Sequence, residues 1–405
     1  MKRNRRAGVE DRWRRTVRQP DGTIATAPSA NNGKGSRWRA RYVDEHGREH
    51  VKAFRRKADA QQWLDQQVSD QVTGTWTDPS LSSVTFSVIA ERWFTTKVNR
   101  SPKTVAGYRS LLDTVVLPRW KDVPLRDIRF DELQVWISSL SIGGSARFDG
   151  KGLSASRVRQ AHQLIGAVLK FAVKAKHLAV NPADGIELPR LPETEQRYLT
   201  HEQLHRVAVA SGRLRTLVLV LGYCGLRFGE AAALQINDVD LQNRRIRVSR
   251  SVTHVAKMGL VEGPTKNHSS RAVPVPKFLA RLLETEIAGR DSCALVFPSR
   301  RDGVLTLGEG RYWFDKATAA VDGCAGLRLH DLRHTCASLA IRAGANVKVV
   351  QRLLGHKTAT LTLDRYGHLF PDDLDAVADA FDAAAADDLR TISIVKALPD
   401  NAYRS

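Results

Sequence analysis

At 405 residues the chain is long enough for two or three domains of ordinary size. Apolar residues make up 42% and charged residues 26%, the proportions of a folded globular protein, and no apolar run reaches the roughly 20 residues of a membrane span. Lys and Arg outnumber Asp and Glu by 63 to 43, a net charge of +20, and a surplus of that size points to a polyanion partner.

The four cysteines, Cys224, Cys293, Cys324 and Cys336, form no close pair, which argues against a zinc ribbon and fits a reducing cytoplasm. The basic start from Met1 to Arg6 is not followed by an apolar run, so it does not read as a secretory leader.

Residues 1–35 are rich in Arg, then in Gly, Ser and Asn, and are expected to be disordered without a partner. They read either as a solubilising tail or as a DNA-contacting arm. Residues 36–70 read as a small sheet with one helix on it. Trp38 to Val43 and His50 to Phe54 alternate around a turn at Asp44 to Gly47, and helical spacing begins at Lys57. Arg39, Arg41 and Lys52, interleaved with Trp38 and Tyr42, are expected on its exposed face. That face is either a DNA-groove surface or a solvated one. Residues 71–83 read as a linker.

Residues 84–180 read as an all-α bundle. Thr85 caps a helix through Lys97, and Ser101 and Pro102 open the next, completed by Leu111 to Trp120. A helix at Phe130 to Leu140 precedes a Gly-rich loop from Ile142 to Gly152. The long amphipathic helix from Ser154 to Lys176 turns Val158, Leu164, Ile165, Val168, Leu169 and Phe171 inward, and Arg157, Arg159, Lys170, Lys174 and Lys176 outward. A second linker is expected over 181–195. A further domain then runs from 196 to 386, opened by a capping box at Thr200 and Gln203, with a tail at 387–405. In it, Leu214 to Tyr223 reads as a buried helix, Arg244 to Thr253 and Ser270 to Val275 as paired strands, and the chain from Leu327 as helical.

The polar residues of this last domain carry the chemistry. Gly225 breaks a helix just before Arg227, and an arginine beside helix amides can bind a phosphate, with Glu230 one turn on to hold it. Lys266, at a hairpin tip, is either solvated or a mobile proton donor, with an ordinary pKa of about 10.4. His330 and Arg333 share a helix face and can bracket one phosphate. A metal pair of His330 with His334 lacks the glutamate that a hydrolytic zinc site would want. His356 follows Gly355, and Tyr366 precedes Gly367. A phenol with a pKa of about 10 becomes a nucleophile only in a cation-rich site.

Taken together, the order Arg227, Lys266, His330, Arg333, His356, Tyr366 resembles the tyrosine recombinase, or phage integrase, family over roughly residues 84–385. The only difference noted is Cys224 before Gly225, where such motifs often carry Thr. The resemblance implies a multidomain, mainly α protein. It would have a small β-sheet-plus-helix arm-binding domain, an all-α core-binding domain and a mixed α+β, mostly helical catalytic domain. It implies that Tyr366 attacks a scissile phosphate to give a 3′-phosphotyrosyl link and a free 5′-hydroxyl. Arg227 and Arg333 would neutralise the phosphate and His356 would hydrogen bond to it. Lys266 would protonate the leaving oxygen, and His330 would help accept the tyrosine proton or hold the phosphate. Glu230 and Asp331 would be supporting residues, and no metal or other cofactor would be needed.

The partners implied are double-stranded DNA at core-type and arm-type sites, a homotetramer on that DNA, a host DNA-bending protein and a directionality factor, with no membrane. The place of action implied is the bacterial cytoplasm, at the nucleoid. A terminal helix over 373–385, with Leu374, Val377, Ala378 and Phe381 on one face, would dock on a neighbouring subunit or else pack within its own chain. Ile392 to Val395 could add a strand to a neighbour's sheet. Set against this are a type IB topoisomerase, a non-catalytic DNA-binding regulator, and a metal-dependent nuclease or transposase, for which no convincing acidic set is found. Within the family, a chromosome- or plasmid-resolving enzyme is the alternative to an integrase of a mobile element.

Overall fold

The first strand of the protein, Gly8–Asp11, pairs antiparallel with Trp38–Val43, which pairs in turn with Glu49–Phe54. The computed structural model describes residues 7–20, 22–44, 47–73, 76, 78–143, 151–192, 196–265, 270–370 and 378–386. The chain forms two compact units, divided near residue 193.

In the first unit, Ala40 and Tyr42 on the middle strand pack against Ala60 and Leu64 of the helix Lys57–Thr73. Trp76 closes the cluster, donating its indole N–H to the Tyr42 hydroxyl at 2.9 Å. Two expectations are corrected here. Residues 7–35 are not shapeless, because Asp11 pairs with Arg37, and Glu10 with Arg39 and Arg41. Charge complementarity and strand pairing order this segment, with Ala7 and Val9 packed against the Tyr42 cluster. A second ribbon, Arg14–Arg18 with Ile24–Pro28, extends from it. Tyr42, which alternates with the two arginines, is fully buried. Lys52 stands opposite Ala40 and so shares the helix-covered face, 5.5 Å from the Phe54 ring, while Arg39 and Arg41 lie on the other face.

The helical bundle of the first unit comprises Phe86–Thr95, Pro102–Leu111, Phe130–Ile142 and Ala155–Lys174 around Phe86, Ile89, Trp120, Leu133, Ile165 and Leu169. Ser101 and Ser154 cap their helices through their hydroxyls, whereas Thr85, the expected cap, holds the N-cap position without a side-chain hydrogen bond and its helix stops at Thr95. The helix expected to run on to Trp120 widens instead into a π turn over Leu112–Val116, where Pro118 has no N–H to give to Thr114. The linker expected from 181 begins later. Ala183 and Ile186 are buried in the bundle, and Gln134 pairs with the Glu187 backbone at 2.8 Å and 3.2 Å.

The second unit is built around the buried helix Arg215–Cys224, packed by His201–Ala210, Lys277–Ile287 and Leu329–Arg342. Thr200 and Gln203 form the capping box. The strand expected over 244–253 is two strands. Arg245–Val248 turns Ile246 and Val248 inward and pairs with Arg271–Pro274. Beyond Ser249 the chain is drawn away by Arg250, which binds Gln235 Oε1 and Asp238 Oδ2, and Arg250–Val255 pairs with Gly259–Pro264 instead. Among the described residues no helix is long and apolar enough to cross a membrane.

Candidate active site

Two left-handed glycines set the site. Gly225 (φ +64°) ends the buried helix and releases the chain toward Arg227. Gly355 (φ +65°) ends Val347–Leu354 and releases His356. A Cβ on Gly225 would stand 2.8 Å from Leu354 Cδ2 and 3.0 Å from Cys336 Sγ, so the two turns touch.

Arg333, on Leu329–Arg342, fastens them. It is 3% exposed and donates to the Gly225 carbonyl and the Leu354 carbonyl, each at 2.5 Å. Both are carbonyls at helix ends, which lack intrahelical partners. Burial, followed by the charge of Arg227, lowers the Arg333 pKa to about 9, so the guanidinium is still charged at neutral pH.

Arg227 caps the short helix Phe228–Ala232. Glu230 accepts from the Arg227 backbone N–H and from its Nη1, both at 2.9 Å. The same carboxylate accepts from Arg271 at 2.7 Å and 3.2 Å. Burial acts to raise the Glu230 pKa, but the hydrogen bond from Arg271 and the neighbouring positive charges outweigh it and bring the value to about 2. One buried carboxylate thus stands among Arg227, Arg271 and Arg333, and the pocket retains positive charge for an anion. Asp331 works differently: it accepts from the Arg328 backbone N–H at 2.8 Å and caps its own helix.

Tyr366 ends Thr360–Tyr366 and is 1% exposed. Its hydroxyl lies 2.6 Å from His334 Nδ1. The His356 ring lies parallel to the Tyr366 ring, with centroids 6.4 Å apart, and its Nδ1 is 2.9 Å from the hydroxyl of Thr362. His330 stands at the exposed mouth, edge-on to His334. Desolvation, followed by the charges of Arg333 and Arg365, lowers the His330 pKa to about 4. Burial first, and then neighbouring positive groups, bring His334 and His356 to about 4 as well. Burial raises Tyr366 to about 12 against the pull of Arg333 and Arg365. At neutral pH the site therefore holds neutral imidazoles, a neutral phenol and charged arginines.

Arg227, Glu230, His330, Arg333, His356 and Tyr366 are thus gathered into one place. Lys266 lies outside the described residues. His334 and Thr362 are additions to the predicted set. The spacing from His330 to His334 had pointed only to a metal pair, but His334 Nδ1 is engaged by the tyrosine. Arg271 also joins the site, although its sequence context marked only a strand. Among the described residues no cluster of three or more His, Cys, Asp or Glu side chains could hold a metal ion.

The other predicted contacts lie on the first unit. Arg39 and Arg41 are paired with Glu10. Arg159 donates to the Pro189 carbonyl at 2.9 Å and Arg157 to Gln160, while Lys170 and Lys174 are exposed.

A family model described as the phage integrase family matches residues 193–372. A putative prophage phiRv2 integrase of Mycobacterium tuberculosis is 29% identical over 351 residues, covering 82% of this chain and 88% of that protein. Tyrosine recombinase XerA of Saccharolobus solfataricus is 30% identical over 253 residues, covering 62% of this chain and 77% of that protein. The Tn1549 transposon integrase, solved in complex with a circular intermediate DNA, shares the fold with a TM-score of 0.63 at 19% identity, covering 74% of this chain and all of that one.

Proposed function

Because this chain belongs to the phage integrase family of tyrosine recombinases, we propose that its buried arginine–histidine–tyrosine site cuts and rejoins DNA through a 3′-phosphotyrosyl intermediate. The chain is a site-specific recombinase of the kind that integrates mobile elements. Tyr366 Oη attacks the scissile phosphorus while Arg227 and Arg333 hold the non-bridging oxygens, so that the growing negative charge meets fixed donors. His356, its ring fixed by Thr362, hydrogen bonds to the same phosphate, and His330 meets it at the mouth. Lys266 protonates the leaving 5′-oxygen. The covalent link conserves the phosphodiester energy, so the reaction needs neither a nucleotide nor a metal.

The observation that supports this reading best is the double hydrogen bond of Arg333. It holds the Arg227 turn and the His356 turn together beside Tyr366. Exposed Lys170 and Lys174 on the bundle are suited to core-site phosphates, and the N-terminal sheet and ribbon to arm-type DNA. That extra domain favours an integrase of a mobile element over a chromosome-resolving enzyme. Assembly is a tetramer on two DNA sites, with a host DNA-bending protein and a directionality factor, in the bacterial cytoplasm. Residues 378–386 are helical and exposed along their whole length, with Phe381 70% exposed, which suits docking on a neighbouring subunit.

The test is a nicked suicide substrate incubated in EDTA. A denaturant-resistant adduct mapped to Tyr366 is expected. Its absence on DNA that the protein demonstrably binds would overturn the assignment.

A further inference from the structure

Two histidines on Leu329–Arg342, one turn apart, face different surroundings. His330 opens to solvent at the mouth of the site. His334 is buried, and its Nδ1 is the nearest partner of the Tyr366 hydroxyl, at 2.6 Å. In the tautomer with the ring proton on Nε2, the hydroxyl donates to Nδ1, and this is the form the base below requires.

We propose that His334 is the catalytic base that takes the Tyr366 proton, leaving His330 to face the DNA phosphate. This rests on Tyr366 being the nucleophile. As the bond from Tyr366 Oη to phosphorus forms, the Oη–H bond breaks and its proton passes to His334 Nδ1. The bond from phosphorus to the 5′-oxygen breaks, and that oxygen takes a proton from a separate acid, the part given above to Lys266. In rejoining, the 5′-hydroxyl attacks the phosphotyrosine and gives its proton back to that separate acid, while the His334 imidazolium returns its proton to the tyrosine.

The charged and titratable groups around His334 are His330, Asp331 and Arg333 on its own helix, and Arg365 and Tyr366 on the helix packed against it. Burial lowers His334 and raises Tyr366, so both groups are held neutral before attack. The proton therefore moves only as the oxygen–phosphorus bond forms. A bound phosphodiester brings the negative charge that offsets Arg333 and Arg365 and makes an imidazolium tolerable. The base is idle until DNA is seated.

The experiment measures single-turnover cleavage of nicked DNA by the full chain and by His334→Asn, His334→Ala and Tyr366→Phe, with DNA affinity and thermal unfolding recorded for each. Asparagine places an oxygen where Nδ1 lies, so it accepts the hydroxyl but cannot take its proton. Both His334 variants are expected to bind DNA like the wild type and cleave about 10²- to 10⁴-fold more slowly. Wild-type cleavage is expected to be nearly flat from pH 6 to 8, and His334→Asn cleavage to rise about tenfold per pH unit. A substrate with a bridging 5′-sulfur, whose thiolate leaves without an acid, should leave His334→Asn slow.

Wild-type cleavage by His334→Asn, or its full rescue by the sulfur substrate, overturns the proposal. So does faster cleavage, which would make the hydrogen bond a latch. If His334→Asn unfolds early, the pH profile of His334→Ala decides in the same way. Failure of the wild type to form an adduct at Tyr366 sinks the recombinase reading itself, a separate result.

Discussion

Glu230 receives Arg271 at two guanidinium nitrogens, 2.7 Å and 3.2 Å away, while its own side chain is cut off from water. Breaking one partner out of such a buried pair costs about 3–5 kcal/mol, because the other charge is left without compensation. Glu230→Gln should therefore unfold at a lower temperature and also lose cleavage, since Arg227 is held by the same carboxylate. Differential scanning calorimetry together with the suicide substrate checks both. A variant with unchanged stability would mean that solvent reaches the pair.

The same carboxylate gives a pH dependence. Its folded pKa of about 2 lies below the ordinary 4.5, so it is the unfolded state that takes up the proton first as pH falls. The stabilisation is complete above about 4.5, shrinks as pH falls toward about 2, and amounts to roughly 3 kcal/mol. Denaturant midpoints at pH 6 and pH 3 should differ in the wild type, and differ less in Glu230→Gln.

Arg227 and Arg333 should part company under substitution. Arg227 is a quarter exposed on its side chain, so Arg227→Ala should keep the fold and most DNA affinity while losing cleavage by about 10²-fold or more. Arg333→Ala removes donors from two helix-end carbonyls in a dry place, and should lower the unfolding temperature as well. Equal melting temperatures for the two variants would contradict this division.

Gly225→Ala asks an L side chain to sit at φ +64° with its Cβ 2.8 Å from Leu354 Cδ2. The backbone strain alone is about 1–2 kcal/mol, and the contact adds to it. Urea unfolding should show the loss, and cleavage should fall with it, because Arg227 is two residues away.

Removing the chain after residue 370 deletes a helical stretch that is exposed throughout residues 378–386. The melting temperature should hold, while cleavage that depends on paired sites weakens. A fall in the melting temperature of the isolated chain would place the helix on its own subunit.

That Arg227, His330, Arg333 and His356 come together was legible because each stands at a break or on a helix face that sequence marks: glycines before Arg227 and His356, and the three-residue step from His330 to Arg333. The bundle was legible for the same reason, its apolar spacing being unambiguous over Ala155–Lys174. Alternation in a hairpin tells that two faces exist but not how the strands will register, so Lys52 was put on the face of Arg39 and Arg41. The pairing of Glu10 with Arg39 and Arg41 joins residues far apart in sequence, and no local pattern signals it. Alternation also ran unbroken past Ser249, where the lateral pull of Asp238 on Arg250 splits the strand. His334 looked like half of a metal pair because nothing near it in the chain reveals that Tyr366, 32 residues on, comes to its ring.

Arg333 reaches carbonyls 108 residues before it and 21 after it with a single planar group. Three stretches of chain that arrive separately during synthesis are locked by one event. On the function proposed above, a half-built molecule would lack a complete phosphate site, and cutting would wait for the last of the three and for Tyr366 beyond it.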